Sequence, residues 1–164
     1  MALASGETNY MAPASARQMA SDLALLPMWY ADAGSAVLAP SAYNADFLKT
    51  KSELLSMDVA LLTEPEVGDG KDRKFSPWGW DPALRKRLMT LGADQAELPS
   101  ADYMNILREH SHRLQAVKLL PGLRLNEYFC GESFYLNTLA ECSAFVEGRE
   151  VCLLKLRFPE AGKD

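Results

Sequence analysis

An α/β fold, with a parallel sheet flanked by helices, is what this sequence predicts, and three observations carry it. Two short runs, Ala36-Val37-Leu38-Ala39 and Val59-Ala60-Leu61-Leu62, are continuously apolar rather than alternating, as strands buried on both faces must be. Helical patterns lie before, between and after them. Near the C-terminus a capping-box helix leads into a third apolar run, Val151-Cys152-Leu153-Leu154-Lys155, which repeats the helix-then-strand order.

Each element has its own reason. Ala4-Ser5-Gly6-Glu7-Thr8-Asn9-Tyr10 reads as a loop that leads into a helix with Pro13 near its start. Ala16, Met19, Ala20, Leu23 and Leu26 share one face of that helix, and Pro27 is expected to end it. Asn44 is placed to cap a helix through Leu55. The charged run Glu66 to Lys74, with its Asp69-Gly70 turn, reads as a solvated connection.

Next comes Phe75-Ser76-Pro77-Trp78-Gly79-Trp80-Asp81-Pro82, two tryptophans around a glycine, closing on a helix start. Asp81 suits an N-cap and Pro82 a first helical turn, so Ala83 to Leu91 should be helical, ending at Gly92. The cluster is either a hydrophobic loop packed on the core or a loop that faces a ligand.

Ser100 is expected to cap a helical stretch with Tyr103, Met104, Ile106, Leu107, Leu114, Val117 and Leu120 on its apolar face, stopped by Pro121-Gly122. Periodicity leaves open whether it breaks near His110. Thr138-Leu139-Ala140-Glu141 is a capping box for a helix through Val146 that ends at Gly148.

Composition excludes several classes. With 164 residues, 48% of them apolar, the chain can bury one core, or one small domain with an appendage. A net charge of −5 gives no basic stripe, so neither nucleic acid nor an anionic membrane surface is an expected partner. Cys130, Cys142 and Cys152 form no C-x-x-C pair and fit reduced thiols in a cytoplasmic protein, with no structural metal. His110 and His112, two apart on a helical pattern, point to different faces and read as surface or capping residues. No stretch has the length of a membrane span, and Met1-Ala2-Leu3-Ala4-Ser5 lacks the features of a signal peptide. No nucleophile and base pair is legible.

Several stretches taken together resemble an uncharacterised bacterial family of ATP-grasp proteins. They are Ala2-Leu3-Ala4 through Ala16-Arg17-Gln18-Met19, the tryptophan turn, Ser111-His112-Arg113, and Phe129-Cys130-Gly131-Glu132-Ser133 running to Leu153-Leu154-Lys155. The resemblance implies a Rossmann-like pre-ATP-grasp domain over residues 1–122 and an incomplete ATP-grasp subdomain over 123–164. It also implies ATP-dependent carboxylate ligation through an acyl-phosphate, with magnesium, in the intact family. By the same resemblance Lys155 is the nucleotide-contacting lysine, and Arg17, Trp78, Trp80, Asp81 and Arg113 form a surface facing a small-molecule substrate. A strand-end charge for Lys155, and surface charges or salt bridges for the arginines, are the plainer readings.

The chain departs from the family at both ends. Members begin with a strand before the Ala-Leu-Ala found here at Ala2, and its absence is expected to leave an exposed sheet edge through which copies could pair. After Lys155 the family continues into a glycine-rich phosphate loop. Here Leu156-Arg157-Phe158-Pro159-Glu160-Ala161-Gly162-Lys163-Asp164 can be encoded by CTC CGT TTC CCG GAA GCG GGA AAG GAC. One G restored in front makes those bases read Ala-Pro-Phe-Pro-Gly-Ser-Gly-Lys-Gly. The tail is therefore expected to be frameshifted, and the chain to bind neither ATP nor magnesium. A non-catalytic binding or interaction module, using the aromatic turn or a sheet edge, is the alternative.

Overall fold

The computed structural model of the chain describes residues 2–69, 73–126, 128 and 133–155. They fall into two compact units, Ala2–Ala101 and Asp102–Asp164.

The first unit opens with a single helical turn, α1 (Ala2–Ser5), which takes in Ala4 and Ser5, the start of the predicted loop. The Ser5 hydroxyl donates to the Ala2 carbonyl at 2.9 Å and closes that turn locally. Helix α2 (Ala14–Asp22) follows Pro13 as expected, yet it buries no side chain, and Met19 and Leu23 are exposed. The helix already ends at Asp22, so Leu26 lies beyond it and its stop is not Pro27. Pro27 sits early in a 3-10 turn, Leu26–Trp29, where its fixed φ is tolerated, and that turn buries Met28.

The two apolar runs are strands. β1 (Ser35–Ala39) and β2 (Val59–Thr63) pair in parallel with Ser35 opposite Val59 and Ala39 opposite Thr63, joined by helix α3 (Ala45–Leu55). Asn44 makes no side-chain cap; the Ser41 hydroxyl instead accepts from the Tyr43 N–H in a short turn ahead of the helix. At its other end α3 stops on Ser56, with φ of 53° in the left-handed region.

Alternation along the strands divides the packing. Val37, Ala39 and Val59 face Leu25, Met28 and Leu48, while Leu38 and Leu62 face Val67, Leu88 and Leu98. Apolar side chains pack on both faces of the sheet, in keeping with continuous runs, although Ala36 and Ala60 stay exposed. The protein is thus of mixed α/β class, a two-stranded parallel sheet flanked by helices.

The charged run after β2 is not only a solvated connection. Residues Glu64–Asp69 wind into a 3-10 turn that buries Val67 completely, the one apolar side chain of the run becoming a core residue. Gly70, Lys71 and Asp72 lie outside the described residues. Helix α4 (Pro82–Thr90) follows the aromatic turn, and Gly92, at φ +91°, ends it. A Cβ on Gly92 would lie 3.0 Å from the Gly68 Cα, so the two glycines let the backbones cross in contact.

The second unit is helical. α5 (Ala101–His110) and α6 (Arg113–Leu123) are separate helices, and the break falls at Ser111-His112, where His112 Nδ1 accepts from the Leu114 N–H at 2.9 Å. Pro121 does not stop α6. It lies in the last turn, where its missing N–H removes one bond only, and the helix ends at Leu123. α7 (Leu139–Glu147) carries the complete capping box, the Thr138 hydroxyl accepting from Glu141 N–H at 3.1 Å and the Glu141 carboxylate from Thr138 N–H at 3.2 Å.

The predicted strand Val151–Lys155 is not formed. A strand exists through its ladder, and among the described residues these five pair with none, leaving Val151 90% exposed. Phe129 to Glu132 and the tail from Leu156 lie outside the described residues. No helix among those described is long and apolar enough to cross a membrane.

Candidate functional site

The aromatic turn separates its two tryptophans. In an extended strand residues two apart share a side, but the chain bends at Trp78-Gly79, so Trp80 and Trp78 take different roles. Trp80 and Phe75 pack against Leu62, Val67, Leu88 and Leu98. Trp78 stands 79% exposed. Two anchors hold the turn that carries it: the packed Trp80 on one side, and Asp81, whose Oδ1 accepts from the Leu84 N–H at 2.8 Å, on the next.

Trp78 also has a lateral support that the sequence did not indicate. Its Nε1–H donates to the Tyr30 hydroxyl, and the ring centroids lie 6.4 Å apart with planes tilted by 55°. Tyr30 is itself 59% exposed, and its position follows from the 3-10 turn just before it, fixed by buried Leu25 and Met28. Two rigid elements therefore present two exposed rings that touch each other. The pair is separated by 48 positions, too far for any local pattern to connect.

The other candidates are placed as follows. Arg17 lies on α2, exposed, and its Nη1 donates to the Ala12 carbonyl at 2.6 Å, so its guanidinium is engaged by its own loop. Asp81 acts as the helix cap that its sequence position indicated. In the second unit Arg113 is the first residue of α6; it is half-buried, and its Nε is buried without a hydrogen-bond partner. Lys155 is exposed at the end of the unpaired Val151–Lys155 segment. Trp78, Trp80 and Asp81 thus form one continuous turn in the first unit, while Arg113 and Lys155 belong to the second.

Charged side chains after β2 are mutually engaged. Glu64 forms an ion pair with Arg87, and Arg73 donates to the Glu66 carbonyl at 2.9 Å. The Thr63 hydroxyl and N–H, the latter at 2.7 Å, both donate to the Glu66 carboxylate, and the hydroxyl first among them holds its pKa below the ordinary value. These contacts tie the turn to the strand end.

Lys155 lacks the strand that would aim it, and no group of three His, Cys, Asp or Glu converges among the described residues. What fold and site define is an α/β protein with a pinned, solvent-facing aromatic pair. Comparison with known proteins adds no name to that: no family model, no curated protein and no solved structure matches the chain.

Proposed function

We propose that the chain is the substrate-holding part of a cytoplasmic ATP-grasp ligase-like protein, its sheet of Rossmann-like order, and that it binds a small molecule without catalysing by itself. The observation that carries the binding half is the division of labour in the aromatic turn. Trp80 supplies the packing, which leaves the cost of exposing Trp78, fixed against Tyr30, without a packing purpose. The ligase half is supported by the tryptophan motif and its resemblance, with ATP and magnesium belonging to the intact protein and Lys155 and Arg113 as contacts of that larger site.

Two measurements test the halves separately. The chain as it stands should show no thermal shift and no hydrolysis with Mg-ATP; turnover by this chain overturns the reading. A product extended through the neighbouring frame should bind ATP. If it does not, the ligase kinship falls and a binding module remains.

A second reading is favoured by one specific observation. β1 and β2 pair only with each other among the described residues, so both strands offer a free edge to a second copy. A molar mass of two chains by light scattering, returning to one on placing proline in β1, supports association through the sheet; a monomer at all concentrations removes it.

A further inference from the structure

We infer that the open edge of β1 is filled by Val151–Lys155 of a second copy of the chain, an inference that rests on the free sheet edge and names what occupies it. A strand exists through its ladder, and the chain carries both halves of one that is unmade. β1 pairs on one side only, with β2. Val151–Lys155 pairs with nothing among the described residues, and Val151, Leu153 and Leu154 stand 90%, 77% and 57% exposed. Both stretches are five residues long, so one covers the other from end to end, as in the addition of a strand to a sheet.

Charge sets the direction. Asp32 and Asp58 are exposed ahead of the two strands, and neither is ion-paired among the described residues. The Asp58 Oδ2 lies 3.9 Å from the position a Cβ would take on Gly34, at the start of β1. An antiparallel segment brings Lys155 to that end, beside the two carboxylates. A parallel one would bring Glu150 there instead, a like charge against both. β2 is the less open edge, since its last residue, Thr63, already donates its hydroxyl and N–H to the Glu66 carboxylate of the turn that follows.

The faces match in the register that follows. With Lys155 opposite Ser35, Leu153 falls opposite Val37 and Val151 opposite Ala39. Val37 and Ala39 are buried in the cluster with Leu25, Met28 and Leu48, so the incoming pair extends a face that is already apolar. On the other face Leu154 comes opposite Ala36, the exposed position of β1. Each copy owns one such edge and one such segment, so reciprocal exchange closes on two copies.

Cross-linking between two single-cysteine proteins tests the contact, each with Cys130, Cys142 and Cys152 replaced by serine. One carries Ala36→Cys and the other Leu154→Cys, both at exposed positions. Directly opposed residues of an antiparallel pair stand about 4.5–5.5 Å apart, within reach of a disulfide. Mild oxidation of the mixture should give the mixed disulfide. Light scattering of the natural chain should give a mass of two chains, which Leu153→Lys returns to one while leaving thermal unfolding unchanged, since that side chain is exposed. Three results overturn the inference: no mixed disulfide, a dimer that survives Leu153→Lys, or a disulfide within one chain when both cysteines are placed in the same copy. A dimer that survives Leu153→Lys but is lost on placing proline in β1 leaves association through sheet edges standing and removes only the segment, whereas a monomer at all concentrations removes both.

Discussion

Residues 2–101 and residues 102–155 show two ways in which a chain can be ordered. Every buried apolar side chain described lies in the first region except Met104. The sheet accounts for the difference: it has two faces, each collects a cluster, and residues far apart in sequence are locked together by packing. In the second region much of the order is local, with ring contacts such as His112–Tyr135 and Phe134–Phe145 in place of a buried core. The α7 capping box, the His112 cap on α6 and Arg149 over Phe145 are contacts within a few positions, while Leu119, Leu120, Leu123, Leu139 and Leu153 stay exposed. Capped helices can thus form over a few ring contacts rather than a buried cluster, and they should be less stable than the first region.

The sharpest way to break this comparison is a pair of leucine truncations. Leu48→Ala, which removes a side chain packed between α3 and the sheet, should cost about 2–5 kcal/mol in chemical denaturation. Leu120→Ala should cost no more than about 0.5 kcal/mol, and a loss as large as that of Leu48 would end the distinction. Glycine replacements should differ in sign. Gly92→Ala forces a Cβ into the Gly68 backbone at positive φ and should destabilise by about 1–3 kcal/mol, whereas Gly122→Ala enters open space in α6 and should stabilise by about 0.5–1 kcal/mol.

Caps give a finer test. Asp81→Ala and Thr138→Ala each remove one capping bond worth about 1 kcal/mol. The first should lower the global unfolding midpoint, because α4 contributes Leu88 to the core; the second should only speed hydrogen exchange in α7. The smallest effect is a pH dependence. Glu66 has its pKa lowered in the folded state from an ordinary 4.5, so its contribution is present above that pH and is lost as pH falls through the folded value. Midpoints measured from neutral to acid pH should show a slightly steeper loss in the natural protein than in Glu66→Gln.

What the sequence made legible follows the same division. β1 and β2 were readable because packing on both faces calls for apolar side chains at successive positions, even though Ala36 and Ala60 end exposed, and the Thr138–Glu141 box because all its partners lie within four positions. Val151–Lys155 has strand composition, yet composition cannot provide the neighbouring backbone that a ladder requires. Val67 was hidden by the charges around it, since its burial depends on where Leu62 and Leu88 arrive. At the candidate site Asp81 was predictable as a local cap and Tyr30 was not, because its bond to Trp78 spans the whole sheet crossover.

The bend at Trp78-Gly79 also has an optical consequence. Trp80 is packed and Trp78 is in water, so their emission should differ in wavelength and in access to a quencher such as acrylamide. The packed indole should then report unfolding and the exposed one the solvent at the turn, with Trp29 as a half-exposed background. The two indoles thus give one polypeptide two optical signals, readable without a dye.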